Sequence, residues 1–193
     1  MNLLPQDGLV EYFGRIFPRE EGDLLFQELL SASPWECDEV VLFGQKRILS
    51  RKVAWMADAG FIYSYSGISK KASPWMPPLL SVRERVERLC GHEFNSCLLN
   101  LYHDGSEGMG WHSDDEKTLG RDPAIASVSF GAERVFKLKH RGSKEVVSVL
   151  LEHGSLLVMK GETQHHWVHA MPKTRKISTP RINLTFRRFF GSR

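Results

Sequence analysis

Two patterns of hydrophobic and polar positions divide the chain near Phe94. Before it, apolar residues recur twice at helical spacing. Residues 18–33 carry Leu25, Leu29 and Leu30 on one stripe, behind an opening turn with Glu20, Glu21 and Asp23, and Ser33-Pro34 stops the run. Acidic charge suits the positive end of a helix dipole, so this pattern predicts a helix. Residues 77–90 place Leu79, Val82, Val86 and Leu89 on one face, with prolines at the start and Gly91 after the end, which predicts a second helix. Between them, Val40-Val41-Leu42-Phe43-Gly44 reads either as a buried strand or as the apolar tip of a hairpin, and residues 53–59 and 61–67 read as extended segments. After Phe94 the period shortens. Residues 96–102, 124–130, 134–139, 146–151, 155–159, 165–169 and 181–189 are short, β-rich and separated by Gly, Asp, Ser or Pro. Seven or eight strands preceded by two helices predict a mainly β fold with flanking helices, a small sandwich or barrel, in one domain.

The last segment is the most informative. In Arg181-Ile182-Asn183-Leu184-Thr185-Phe186-Arg187 every even position is apolar and every odd position is polar. One face is therefore expected in the core and the other against something wet. Six residues of strand separate the two arginines by roughly 20 Å, and their side chains shorten that gap to about the length of a small dicarboxylate. A guanidinium fork matches a carboxylate bidentately; the plainer alternative is an edge strand with solvated arginines. The period of two also bears on Gly110-Trp111-His112-Ser113-Asp114-Asp115-Glu116. If residues 111–114 are extended, His112 and Asp114 share a face, which supplies two thirds of the two-His-one-carboxylate set of non-haem Fe(II) oxygenases. The missing ligand has three candidates, His165, His166 and His169. His169 follows Trp167-Val168 and precedes Met171-Pro172 as a strand-end residue would, whereas His165 and His166 are expected at the rim.

Composition changes this picture little. The chain has 193 residues, 41% of them hydrophobic, enough for one sizeable core. Its formal net charge of +3 is mildly basic and compatible with a polyanionic partner. No apolar run approaches a membrane span and residues 1–14 lack a signal-peptide order, so a cytoplasmic protein, nuclear in a eukaryote, is expected. Cys37, Cys90 and Cys97 form no Cys-x-x-Cys, which points to neither a disulfide framework nor a structural zinc site.

Taken in order, His112-x-Asp114, His169, Arg181 and Arg187, with Asn100-Leu-Tyr102 ahead and Pro180-Arg-Ile-Asn-Leu-Thr-Phe-Arg187 behind, resemble the AlkB family of Fe(II)- and 2-oxoglutarate-dependent dioxygenases. The likeness runs from Met1-Asn-Leu-Leu-Pro through Tyr63-Ser-Tyr65-Ser-Gly67, Pro123-Ala-Ile-Ala-Ser-Val-Ser-Phe-Gly131 and His153-Gly-Ser-Leu-Leu157. The resemblance implies a double-stranded β-helix (jelly roll) over about residues 93–190, preceded by a helix-containing nucleotide-recognition lid over about 1–92. It implies Fe(II) held by His112, Asp114 and His169, with the remaining positions for 2-oxoglutarate and O2. Arg181 would pair with the distal carboxylate of 2-oxoglutarate and Arg187 with the end near the metal, while Asn100, Tyr102 and Asn183 complete that wall. The activity implied is oxidative demethylation of bases such as 1-methyladenine and 3-methylcytosine, releasing succinate, CO2 and formaldehyde.

Such chemistry requires the base to be flipped out of its stack. By the same resemblance Arg51, Tyr63, Tyr65 and Ser66 belong to the lid, Glu116 reads the base, and Trp167 or His169 forms a stacking wall. The run Val41-Leu42-Phe43-Gly44 resembles the apolar finger of vertebrate members that act on duplexes, with Phe43 filling the hole left by the base. Methylated DNA, single-stranded or duplex, or RNA, is thus the expected partner of a monomeric enzyme. Ser50, Met56 and Ala57 depart from the family pattern near the lid. Phosphate contacts are expected from Lys70, Lys71, Lys173, Arg175, Lys176 and above all the cluster Arg134, Lys137, Lys139, Arg141 and Lys144. Two other readings share part of this evidence. A 2-oxoglutarate-dependent hydroxylase of protein or small molecules leaves Phe43, the tyrosines and the basic cluster unexplained. A binding module with a vestigial site leaves the intact metal and cosubstrate residues unexplained.

Overall fold

The computed structural model describes residues 1–42, 45–58, 62–65 and 68–190, with side chains described outside 38–47 and 59–71. In chain order the elements are β1 (Leu9–Arg15), α1 (Arg19–Ala32), β2 (Glu36–Leu42), β3 (Gln45–Ala57), β4 (Ile62–Tyr65), β5 (Ile68–Lys71), α2 (Pro77–Cys90) and β6 (Ser96–Tyr102). Then follow β7 (Met109–His112), β8 (Ile125–Gly131), β9 (Arg134–His140), β10 (Val146–Leu151), β11 (Ser155–Lys160), α3 (Thr163–His166), β12 (Trp167–Met171) and β13 (Arg181–Arg187).

A seven-stranded sheet runs β1-β11-β8-β13-β6-β3-β2 and a four-stranded sheet runs β10-β9-β12-β7. From β6 onward the chain passes back and forth between them: β6, β8, β11 and β13 lie in the large sheet, β7, β9, β10 and β12 in the small one. Eight strands winding between two sheets in this way make a double-stranded β-helix, as expected. The N-terminal part adds β1 to one edge of the large sheet and the β2–β3 hairpin to the other.

The two helices cover the outer face of the large sheet. Leu25, Phe26 and Leu29 of α1 and Leu79, Val82 and Val86 of α2 share one core with Ala126, Val128 and Phe130 of β8 and Ile182, Leu184 and Phe186 of β13. Burying a side chain of this size contributes about 1.5–3 kcal/mol, which is why the even positions of β13 commit to this side. α2 starts at its prolines and stops at Gly91, whose φ of 72° is left-handed and whose amide donates to the Glu87 carbonyl. A second core of Ile125, Leu138, Leu151, Leu157, Met159 and Trp167 plugs one end of the space between the sheets. The rest of that space is open.

Three expectations need correction. The described strands number thirteen, because β1, the β2–β3 and β4–β5 pairs and β7 add to the seven read from the pattern. β7 ends at His112, so residues 111–114 are not one strand; the Asp114 amide turns to donate to Gln164 Oε1 at 2.9 Å. The strand expected over 165–169 starts only at Trp167, since Thr163 binds the backbone of Leu9 and Lys160 and winds residues 163–166 into α3. For the run 40–44, Leu42 pairs with Gln45 across β2 and β3, so its described part lies in a hairpin. Phe43 and Gly44, like Ser66, lie outside the described residues. Met56 and Ala57 are buried on β3, in register with Cys97 and Ser96.

Candidate active site

Because the even side chains of β13 are taken by the helices, its odd ones project between the sheets. Arg181, Asn183, Thr185 and Arg187 line a pocket with Asn100 and Tyr102 of β6, Ser127 of β8 and Phe136 of β9. Register explains the grouping: Arg181 stands beside Tyr102, and Asn183 beside Asn100. On the small sheet His169 of β12 pairs with His112 of β7, so both imidazoles and Asp114 close the same pocket.

At this end the ligand atoms of His112, Asp114 and His169 lie within 4.8 Å of one another, a group that could hold a metal ion. Asp114 Oδ1 is 3.7 Å from His112 Nε2 and 3.9 Å from His169 Nε2. His112 Nδ1 lies 2.8 Å from the Gly110 carbonyl, the contact that puts its proton on Nδ1 and leaves the Nε2 lone pair for a metal. Arg187 Nη2 donates to the other Asp114 oxygen at 2.6 Å. Burial would raise the Asp114 carboxyl, but the Arg187 guanidinium, then His169 and His112, outweigh it and hold the group below its ordinary value. Burial brings the His169 imidazole down to about 4 against the opposing pull of Asp114. At neutral pH the set is one carboxylate and a neutral buried imidazole, the protonation that metal ligation requires.

The other end is built for an anion. Arg181 is 2% exposed, donates to Ser129 Oγ at 2.9 Å and lies 5.5 Å from the Tyr102 ring centre. Its Nε and the buried Asn100 Oδ1 have no hydrogen-bond partner among the described residues. Burial lowers the Arg181 guanidinium to about 10, which still leaves it charged at neutral pH. A buried cation whose contacts are a hydroxyl and a ring calls for a carboxylate. The pocket therefore fits a dicarboxylate with one end at Arg181 and the other toward the His–Asp–His group.

Several expected residues take other places. Trp167 is a correction: at 1% exposure its ring sits in the second core with Leu4 and Leu138, its indole N–H donates to Gln6 O, and it is no wall for a base. Phe136, 5.3 Å from the His169 ring, is the aromatic that the pocket presents instead. Arg134 is another correction. It is 2% exposed, and its guanidinium donates to the carbonyls of Asp104, Glu107 and Pro172, so it clamps the segments leading into β7 and out of β12 and cannot meet phosphate. Arg51 is buried, 3.2 Å from Met109 Sδ and 5.8 Å from the Tyr102 ring centre. Glu116 caps a 3-10 turn at Lys117–Leu119 and has one buried, unpartnered carboxylate oxygen. Tyr63 and Tyr65 lie on β4, with side chains outside the described set. Sequence reasoning passed over Gln164, which contacts Asp114 from 50 residues away, and Ser127 and Ser129, whose polar alternation within β8 was visible.

A jelly roll holding this donor set beside a buried arginine defines the class of 2-oxoglutarate- and Fe(II)-dependent oxygenases. The 2OG-Fe(II) oxygenase superfamily model matches residues 9–187. The bovine DNA oxidative demethylase ALKBH2 is 41% identical over 184 residues, covering 90% of this chain and 66% of the relative. Its mouse counterpart is 38% identical, covering 98% and 84%. The bovine alpha-ketoglutarate-dependent dioxygenase alkB homolog 3 is 40% identical, covering 87% and 62%. Among solved structures, that of OsALKBH1 superposes with a TM-score of 0.67 at 16% identity over 96% of this chain and 99% of that one, which bears on the fold alone. The chain belongs to the AlkB family of this superfamily and is a dioxygenase that uses Fe(II), 2-oxoglutarate and O2. Among the described residues no helix is long and apolar enough to cross a membrane.

Proposed function

We propose that the protein is a DNA oxidative demethylase that removes N-methyl groups from bases such as 1-methyladenine and 3-methylcytosine, releasing succinate, CO2 and formaldehyde. The observation that carries this reading is the buried Arg181, with no carboxylate partner among the described residues, facing the His112–Asp114–His169 group across one pocket. The relatives named DNA oxidative demethylase support nucleic acid as the substrate class.

In this reading His112, Asp114 and His169 hold the iron, which when bound with 2-oxoglutarate supplies the oxidation of a methyl carbon by O2. Arg187 fixes the Asp114 carboxylate by binding its second oxygen, and Gln164 fixes the backbone beneath it. Arg181 takes the distal carboxylate of 2-oxoglutarate, with Asn100 and Tyr102 beside it and Asn183 anchored to Ser127 and Val128. Burial of Asp114, His169 and Arg181 limits water around the cosubstrate. Within residues 1–92 the helices pack behind the large sheet, and the lid is the part that carries Tyr63 and Tyr65, which grip a flipped base, and Phe43, which fills the vacated stack. Glu116, partly exposed on the loop after Asp114, accepts from an exocyclic amino group. Lys137, Lys139 and Arg141 meet phosphates; Lys139 Nζ stands 4.3 Å from the exposed Trp111 ring, a flat cationic surface next to His112.

The test is to incubate the protein with Fe(II), 2-oxoglutarate and methylated oligonucleotides as single-stranded DNA, duplex DNA and RNA, following succinate and the methyl mass. Loss of methyl with matching succinate on DNA is the expected result. Absence of succinate with every oligonucleotide would overturn the reading.

A further inference from the structure

The small sheet carries a second cluster with the same donor types as the first. Asp7, His140 and His166 bring one ligand atom each within 4.8 Å of one another. His140, the last residue of β9, is 8% exposed, and its Nε2 has no hydrogen-bond partner among the described residues while lying 3.2 Å from Asp7 Oδ2. The His140 and His166 rings are 6.2 Å apart and nearly parallel, at 15°. This group is separate from the pocket: His140 pairs with Trp167, two positions along β12 from the His169 that closes the first cluster.

The fold presents Asp7 to the two rings by local bonds. Asp7 has a φ of 49°, a left-handed conformation that aspartate tolerates better than most side chains. The residue before it is pinned twice, since Gln6 O accepts from the Trp167 indole at 3.1 Å and Gln6 Nε2 donates to Ser143 Oγ at 3.3 Å. His166 is set by the Arg141 amide, which donates to its carbonyl at 2.8 Å. Two imidazoles and a carboxylate from three separate segments thus converge on one point without using the active-site residues.

We propose that Asp7, His140 and His166 form a second metal site, which takes a divalent transition ion such as Zn2+ and ties the N-terminal segment to the β9–β10 hairpin and α3. Two nitrogen ligands and one carboxylate oxygen suit Zn2+. With Asp7 and His166 half exposed, the fourth position faces solvent. Binding has a local cost that sets its strength. As the ring stands, His140 Nδ1 accepts the Ser143 amide N–H at 2.9 Å, which puts the ring proton on Nε2. Ligation moves that proton to Nδ1, where Ser143 Oγ, 3.0 Å away, accepts its hydrogen bond, and the hydrogen bond from the Ser143 amide N–H is given up. The second site is therefore weaker than the first.

Co2+ is the probe. Equilibrium dialysis of the whole chain against Co2+ in the presence of 2-oxoglutarate is expected to give two ions per wild-type protein. His166→Ala and Asp7→Asn, both at half-exposed positions that the fold tolerates, are each expected to give one, with the demethylation rate unchanged. His169→Ala is expected to lose the other ion, so failure of the active-site reading would show separately, as two ions retained in that variant. One ion in the wild type, or two in His166→Ala, would overturn the second site.

Discussion

Two clusters of two histidines and one aspartate lie along the small sheet, and they differ in what surrounds the carboxylate. Asp114 is 5% exposed, bound through one oxygen by Arg187 and backed by Gln164. The Asp7 side chain is 49% exposed and meets His140. The same donor set is thus prepared for chemistry in one place and for a tether in the other. A ligand set becomes a reactive centre when its carboxylate is held by a second charge and its open side faces a closed pocket. Donor identity alone does not separate the two.

The largest effects come from breaking the first cluster itself. His112→Ala, Asp114→Ala or His169→Ala should bring demethylation down to the rate without iron, measured as methyl loss, whereas His166→Ala should leave the rate unchanged. Removing iron with a chelator should match the first group of variants, and re-adding Fe(II) should restore only the wild type. Next comes Arg181. Arg181→Met should raise the 2-oxoglutarate KM by roughly 100-fold, since truncating one partner of a buried charge pair costs about 2–5 kcal/mol. In the absence of 2-oxoglutarate the same variant should melt at or above the wild-type temperature, because the buried cation no longer needs a counter-ion. If the KM stays put, Arg181 does not face the cosubstrate.

Arg187 and Gln164 sharpen the comparison, since among the described residues the second cluster has no counterpart to either. Arg187→Lys, which cannot reproduce the guanidinium geometry, should weaken iron affinity by about 10–100-fold. Gln164→Ala should weaken it by about tenfold, at the low end of the same range, with the second cluster's Co2+ affinity unaffected.

The smallest effect concerns the loop leading into β7. Glu107 accepts from the His103 amide at 2.9 Å and meets His103 Nδ1 at 3.0 Å. Burial pushes its carboxyl up, yet the His103 amide and ring and the Ser50 side chain win, and the carboxyl lies below its ordinary value. A depressed carboxyl binds fewer protons in the folded than in the unfolded chain, so its stabilisation is present above about pH 4.3 and is lost as pH falls through the folded value. Glu107→Gln should lower the melting temperature at pH 7 by a few degrees, and the difference from wild type should shrink as the pH falls below about 4.3 and through the folded value.

Much of this was legible in the sequence because one strand carried it. The strict alternation of residues 181–187 fixed which side chains face the helices and which face the pocket, and β13 follows it at every position. The His-x-Asp motif and the place of His169 before Met171-Pro172 pointed to the three residues that could hold a metal, although Asp114 joins them from a turn after β7 and not from the strand that was expected. What stayed hidden depended on pairs distant in the chain. Trp167 was expected as a stacking wall by resemblance; it does share the inward face of β12 with His169, two positions on, but it lies where the second core fills that face. Arg134 looked like part of a basic surface cluster until three carbonyls from two loops claimed it. Gln164 and the Asp7–His140–His166 group join segments between 26 and 159 residues apart for which no local spacing gives a cue.

The central claim is that the His112–Asp114–His169 group and Arg181 are the two ends of one demethylase site. The most direct measurement is the ratio of succinate formed to methyl lost on a DNA oligonucleotide carrying one 1-methyladenine. The account predicts one succinate per methyl in the wild type, with both products absent in His169→Ala and both restored in Arg181→Met only at high 2-oxoglutarate. Succinate formed while the methyl group stays on the base would contradict it.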